Sequence, residues 1–313
     1  MHNAFGFWKR ILITILTMTV KLTLLGTGTP SPLCHRAGSS YLVRHQDQAL
    51  LFDCGPGAVR RLLDHGVSPT EISSLFLTHL HYDHCMDYAY LVLSRWDQGA
   101  GQIPELAVYG PPPTTAMTER LLGTEGAFEP DILARTEHPL SQFVYEMRSG
   151  QLPRVRPKPR VTEVGDGDQV SGDGWRVRVL EVVHAQPYIQ CLAYRLEMGG
   201  QVIVFSGDTA PNEGLVALAE GANVLIHMCH FVNKVVTDPR MTGSCSGHLD
   251  AARTAQQAGV SQLVLVHIST QVETPGVRER VVHEAAQIFG GQILFGEDLL
   301  ELPLNDAAVP EIR

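Results

Sequence analysis

The sequence predicts a single α/β domain made of two halves, each a run of strands followed by helices. Three observations carry this expectation. The strands-then-helices pattern occurs twice, over about residues 18–122 and 161–303, with no flexible linker between the two runs. Short apolar runs bounded by glycine, proline or aspartate recur in both halves, as buried strands require. Several of these runs end directly in histidine or aspartate, which sets side chains with metal-binding capacity at strand ends.

The strongest such stretch is Leu75-Phe-Leu-Thr-His-Leu-His-Tyr-Asp-His-Cys-Met-Asp87. Residues 75–77 read as a buried strand ending at Thr78. His79, His81, Asp83 and His84 follow, four residues of ligand type within six positions. Residues two apart in an extended segment project the same way, so His79 and His81 close on one ion. A bend at Tyr82 turns Asp83 and His84 towards a second ion beside it. Imidazole with carboxylate and no cysteine ligand suits two Zn2+, with Mn2+ or Fe2+ as weaker fits. A histidine-rich surface loop is the plain alternative, but with 14 histidines in 313 residues this spacing arises by chance about one time in a thousand. The motif resembles the signature of the metallo-β-lactamase superfamily. That resemblance implies a four-layer αββα sandwich (the metallo-β-lactamase fold) with two metals at its edge.

Composition sets the outer bounds. Apolar residues make up 44% and charged residues 18%, ordinary for a well-packed globular enzyme. The net charge of −9 gives no general attraction for nucleic acid or anionic membranes, although a local basic groove is compatible with it. Six cysteines stand singly at positions 34, 54, 85, 191, 229 and 245, with no Cys-x-x-Cys pair, so a reducing cytoplasm is expected. No 20-residue apolar stretch occurs, so no ordinary membrane-spanning helix is expected.

Taken from the start, Lys9-Arg10 followed by ten apolar-rich residues has the outline of a secretory signal but lacks a small-x-small cleavage site. It runs directly into the alternating strand Val20-Lys-Leu-Thr-Leu-Leu25, and Met18 precedes that strand closely. Residues 1–17 are therefore expected to be an extension outside the fold, and 18–313 the domain. Gly26-Thr-Gly-Thr-Pro-Ser-Pro32 reads as a tight turn, since the helix a dinucleotide motif needs is missing. Strands at 40–44 and 49–52 lead to Asp53-Cys-Gly-Pro-Gly57 and a helix at 58–65. Ser68-Pro-Thr-Glu71 has the form of a capping box with proline at the first helical position.

After the metal stretch, residues 85–96 read as a helix and 105–109 as a strand stopped by Gly110 and three prolines. The stretch 113–160 shows one helical piece, about 117–122, then Arg154, Arg156, Lys158 and Arg160 separated by valine and proline. Basic residues alternating with proline cannot form a central strand. A solvated extended loop is expected, with an anion-engaging arm facing substrate or a second subunit as the alternative. Residues 175–183 alternate as a strand and end at His184; 202–205 form a strand leading to Ser206-Gly-Asp-Thr209. Aspartate directly after an apolar strand and a glycine can reach two metals at once. A strand at 223–228, a helix starting at Gly247-His248, a strand at 263–266 ending at His267, a helix at 277–288 and strands at 292–295 and 299–302 complete the second half.

The order and context of these pieces resemble the ribonuclease Z branch of the superfamily, from Gly26-Thr-Gly-Thr-Pro30 to His267-Ile-Ser-Thr270. The resemblance implies that His184 completes the first ion's set with His79 and His81, and that Asp208 bridges the two ions. It implies that His267 joins Asp83 and His84, that Asp53 accepts a hydrogen bond from a ligating histidine, and that His248 donates a proton to the leaving group. Three departures stand out. Only Met198-Gly-Gly-Gln201 separates two strands where many ribonuclease Z chains carry a long tRNA-gripping arm; Met228 replaces a glutamate that partners the acid histidine; and Pro56 stands where glutamate is usual.

The sequence thus reads as a dinuclear zinc-dependent hydrolase, with Asp83 and His248 as catalytic candidates. A hydroxide held between the metals attacks a phosphodiester, sulfate ester or carboxylic ester of a small molecule. Ribonuclease Z-type processing of tRNA 3′ ends is the alternative, with residues 154–160 replacing the arm. A non-catalytic ligand-sensing protein on the same fold ranks third, because the ligand set is complete. Relatives of this type commonly form homodimers, and no membrane partner is expected.

Overall fold

The computed structural model describes residues 19–304, so the expected boundary between residues 1–17 and the domain lies outside the described residues. β1 (Val20–Gly26), β2 (Ser40–His45), β3 (Gln48–Phe52), β4 (Ser74–Phe76), β5 (Ala107–Gly110) and β6 (Arg160–Glu163) build the first sheet. β7 (Gln169–Gly172), β8 (Trp175–Val182), β9 (Cys191–Met198), β10 (Gln201–Phe205), β11 (Val224–Met228), β12 (Gln262–Val266) and β13 (Gln292–Phe295) build the second. The last strand, β14 (Leu300–Leu304), crosses back to pair antiparallel with β1. The two sheets run in the orders β14-β1-β2-β3-β4-β5-β6 and β13-β12-β11-β10-β9-β8-β7. Each is antiparallel on one side and parallel on the other, with β3 to β6 and β10 to β13 parallel.

Strand periodicity explains the layering. Alternate side chains point to opposite faces, so Leu22 and Leu24 enter the space between the sheets while Leu25 faces the helices. Between the sheets, Phe52 and Phe76 meet Tyr194, Phe205 and Ile226, and the Phe52 and Phe205 rings stack at 4.0 Å. Helices Ala58–Asp64 and Tyr88–Gly99 cover the first sheet through Val59, Leu62 and Leu91. Helices Glu213–Leu218, His248–Ala258 and Val277–Ala286 cover the second through Leu215, Ala251, Ala255 and Val281. The result is the expected four-layer αββα sandwich.

Four local expectations are corrected. The last strand belongs to the first sheet rather than closing the second half, and so does β6, which pairs with β5. The helix expected at 85–96 is broken at Met86-Asp87 into Tyr82–Cys85 and Tyr88–Gly99. Asp87 is needed there because its carboxylate accepts the backbone N–H groups of Gly57 and Val59 and caps the neighbouring helix. The capping box at Ser68 forms as expected but starts only the single 3-10 turn Pro69–Glu71.

The fourth correction concerns 113–160, which holds three helices, Thr114–Leu122, Glu129–Glu137 and Pro139–Met147. The basic stretch after them is not a solvated loop. The Arg154 side chain is 3% exposed, lies 4.0 Å over the Trp96 ring and 4.8 Å over Tyr145, and pairs with Asp97 at 2.9 Å. Arg156 pairs with Glu129. Two of the four cations are spent on holding the inserted helices down, so they do not form an anion-binding arm. Lys158 and Arg160 remain exposed.

Candidate metal centre

Six strand ends of the two sheets meet at one edge, where β3, β4, β8, β10, β11 and β12 deliver Asp53, His79, His184, Asp208, His230 and His267. Open α/β sheets place ligands beyond the carboxyl ends of their strands, and this chain follows that rule. Asp53 and His267 are both left-handed, with φ of 58° and 55°. A non-glycine residue holds that conformation only where its surroundings dictate it, as sites commonly do.

The ligand atoms fall into three overlapping groups: His79, His81 and His184; His79, His84 and Asp208; and Asp83, His84 and His267. Within each group they lie within 4.8 Å of one another. Asp208 sits between the outer groups. Its Oδ2 is 3.7 Å from His184 Nε2 and 3.2 Å from His267 Nε2, and its Oδ1 is 3.6 Å from His84 Nε2. Asp83 Oδ2 is 3.3 Å from His267 Nε2 and 3.4 Å from His84 Nε2. All seven residues expected as ligands are brought together.

In four of the five histidines one ring nitrogen is engaged away from the centre, which leaves the other turned inward. His84 Nδ1 donates to Asp53 Oδ2 at 2.7 Å. His79 Nδ1 lies 3.0 Å from the Thr78 hydroxyl, which itself donates to Asp53. His184 Nδ1 donates to the Ser244 carbonyl at 2.7 Å. With His267 Nε2 turned to the carboxylates, its Nδ1–H points at His230 Nδ1, 3.2 Å away. Asp53 also accepts the Thr78 N–H at 2.7 Å, so one buried carboxylate orients two ligating rings.

Electrostatics agree with this arrangement. Burial and the neighbouring His84 push the His79 imidazole well below its ordinary range, and burial and His184 lower that of His81. Neutral imidazole is the metal-binding form. Against its own burial, Asp208 is held well below the carboxylate range by His267 and His84. Asp83 Oδ1 and His84 Nε2 are buried without a hydrogen-bond partner, and His79 Nε2 and His81 Nδ1 face each other at 2.9 Å. Buried nitrogen and oxygen donors left unpaired in this way fit a pair of divalent cations.

His248 is not brought to the centre. It starts the helix His248–Ala258, is fully buried, and its Nε2 pairs with Glu284 Oε2 at 2.9 Å while its Nδ1 faces the Asn233 N–H at 3.4 Å. Its Nε2 ties this helix to the neighbouring outer helix and its Nδ1 faces the loop at Asn233, so the structure does not place His248, the expected acid, among the ligand groups. His230 is the additional histidine that reaches the ligands, and burial with His267 pushes its imidazole down to about 4. Its position directly after β11 parallels that of His267 after β12, which is the sequence signal that marks it. Met228 faces a cavity of about 10 Å³ beneath the centre, lined also by Tyr41, His84 and Asp208. Its sulfur accepts the Thr209 N–H at 2.9 Å.

A divalent-metal hydrolase is the class of protein that this sandwich and this donor set define. Comparison with known proteins agrees. Residues 35–264 match the model of the metallo-β-lactamase superfamily. "Ribonuclease Z" of Mycolicibacterium gilvum (strain PYR-GCK) is 36% identical over 286 residues, covering 90% of this chain and 94% of that protein. "Ribonuclease Z" of Mycolicibacterium paratuberculosis (strain ATCC BAA-968 / K-10) is 35% identical, covering 90% and 96%. Among solved structures, YhfI from Bacillus subtilis superposes with a TM-score of 0.71 at 20% identity, over 91% of this chain and 99% of that one. Human tRNase Z, short form, superposes with a TM-score of 0.64 at 20% identity, over 91% and 100%. These two structures show the shared fold. The chain belongs to the metallo-β-lactamase superfamily, in its ribonuclease Z-like branch, and is a metal-dependent hydrolase.

Proposed function

We propose that the chain is a ribonuclease Z-type endoribonuclease that holds two zinc ions and cleaves a phosphodiester bond in precursor tRNA near its 3′ end. The observation that supports this best is the 35–36% identity to ribonucleases Z over nine-tenths of the chain, which spans every candidate ligand. It outweighs the small-molecule reading suggested by the missing arm.

In this reading His79, His81 and His184 hold one ion, Asp83, His84 and His267 hold the other, and Asp208 serves both. When bound, the ions supply Lewis acidity at the phosphoryl group and a nucleophile from water at neutral pH. The chain's own contribution is orientation. Asp53 fixes the tautomer of His84, Ser244 that of His184, and His230 that of His267. Zinc suits a set of five imidazoles and two carboxylates without thiolate.

The β9–β10 connection is only Gly199-Gly200, with φ of 54° and 77°, so no arm for the body of tRNA projects there. Binding free energy remote from the scissile bond must then come from elsewhere on the chain. The test is direct. Metal-stripped and zinc-loaded protein are compared on precursor tRNA and on bis(p-nitrophenyl) phosphate. Zinc-dependent removal of the 3′ trailer, lost in His79→Ala, is the expected result. Turnover of the small diester with no cleavage of precursor tRNA would instead assign a small diester as substrate.

A further inference from the structure

Between β1 and β2 the chain makes a tight turn, Leu33-Cys-His-Arg36, closed by a bond from the Arg36 N–H to the Leu33 carbonyl. The turn is held from outside. The buried Arg36 guanidinium donates to the Gly296 carbonyl at 2.7 Å and to Glu273 Oε2 at 2.5 Å. Asp298 accepts the N–H groups of Thr27 and Ala37, and Arg61 donates to the His35 carbonyl at 3.1 Å. At the corner, Cys34 and His35 are left exposed on a rigid base.

Their side chains are ordered relative to each other. Cys34 Sγ lies 3.8 Å from His35 Nδ1, and His35 Nε2 lies 3.4 Å from Glu273 Oε1, the carboxylate oxygen that Arg36 leaves free. A thiol beside an imidazole that a carboxylate orients is the arrangement of an activated nucleophile. The metal chemistry uses none of these three residues. The other five cysteines differ sharply. Burial pushes Cys54 well above its ordinary value, Cys85 to about 11, and Cys191, Cys229 and Cys245 to about 12.

We propose that Cys34 is a thiol–disulfide exchange site, with His35 as the proton acceptor and Glu273 holding the imidazole. The site is open, with both Cys34 and His35 exposed, which suits a low-molecular-weight disulfide. Cys34 Sγ attacks one sulfur of that disulfide and a new S–S bond forms as the old one breaks. The thiol proton passes to His35 Nδ1 and then to the departing thiolate, so a mixed disulfide and one free thiol result. The adduct is carried on the loop whose Pro30 carbonyl accepts the Tyr82 hydroxyl at 2.7 Å, between His81 and Asp83. Oxidation thereby acts four residues from a contact with the metal-binding segment.

The experiment follows 5,5′-dithiobis(2-nitrobenzoic acid) reacting with the folded, zinc-loaded full chain. One thiol per chain should react rapidly at pH 7, and Cys34→Ser should abolish that phase. His35→Ala should slow it by about tenfold at pH 7, and the difference should vanish above about pH 9.5, where a thiol ionises unaided. Survival of the rapid phase in Cys34→Ser overturns the assignment of the thiol. An unchanged rate in His35→Ala at pH 7, or a difference that persists undiminished at high pH, overturns the role of the imidazole.

Discussion

Replacing Asp53 by asparagine keeps the shape of a fully buried side chain and removes only its charge and half its acceptor capacity. In the protein the carboxylate accepts the Thr78 N–H at 2.7 Å, the Thr78 hydroxyl at 2.9 and 3.0 Å, and His84 Nδ1–H at 2.7 Å. The amide oxygen can keep the Thr78 N–H. The amide nitrogen then faces His84 Nδ1, and two donors meet. His84 escapes by moving its proton to Nε2, the nitrogen that must stay bare to bind metal. A hydrogen bond to a buried charge contributes about 1.5–3 kcal/mol, which corresponds to about 10–150-fold in affinity. Removing such a partner of a ligating histidine costs about 10–100-fold, so the two estimates agree. The assay titrates metal-stripped protein with zinc against a chromophoric chelator, with circular dichroism and melting of the stripped variant as the control for folding. The ion held by Asp83, His84 and His267 should weaken while the other is nearly kept. Affinities of both ions within about twofold of wild type, under 0.5 kcal/mol, would refute the claim that Asp53 sets the His84 tautomer.

Two further predictions concern the histidines. His248→Ala should leave zinc content and turnover unchanged but lower stability by about 1–3 kcal/mol, because a buried imidazole paired with Glu284 is lost. Thermal melting and metal analysis check this, and a collapse of turnover with full stability would return the ring to the reaction. The second prediction is a proton count. Although burial works against it, Asp208 and Asp53 hold the metal-free His84 imidazole well above its ordinary range, whereas His79 and His81 are held below theirs. At pH 7 the metal-free protein therefore carries its proton on His84 and none on the other two. Zinc uptake should release the His84 proton, and affinity should rise with pH until the His84 imidazole is deprotonated without metal. Calorimetry in buffers of different ionisation enthalpy reads this directly, and zero release would show that His84 is already neutral.

The turnover expected of this site depends on residues that act at one remove from the ions. Thr78 is the clearest case. Its hydroxyl links the Asp53 carboxylate to His79 while its N–H binds the same carboxylate, so the ligands at the end of β4 share one buried anchor at the end of β3. That link spans two of the candidate ligand groups and fixes their spacing relative to each other.

The amino-acid sequence by itself marked the candidate ligands, because each sits at a strand end or within one tight loop. His79, His81, Asp83 and His84 stand out by local spacing, whereas His184, Asp208 and His267 sit after strands and are singled out through the resemblance to the ribonuclease Z branch. The sandwich was legible for the same reason, through the alternation that sends Leu24 and Leu25 to different layers. The tertiary structure alone decided the rest. His230 and His248 have equally plausible local contexts, but only the ring following β11 lies beside His267, while the other is turned to Glu284 on a neighbouring helix. Arg154 reads as solvated until an inserted helix brings Tyr145, and the helix Tyr88–Gly99 brings Asp97, against it. Glu273 reaches His35 only because the segment after β12 lies against the loop after β1, where the Ile268 N–H donates to the Thr27 carbonyl. Local spacing specifies which side chains share a strand end. Which strand ends become neighbours, and which ring nitrogen faces inward, is settled by packing between residues far apart in the chain.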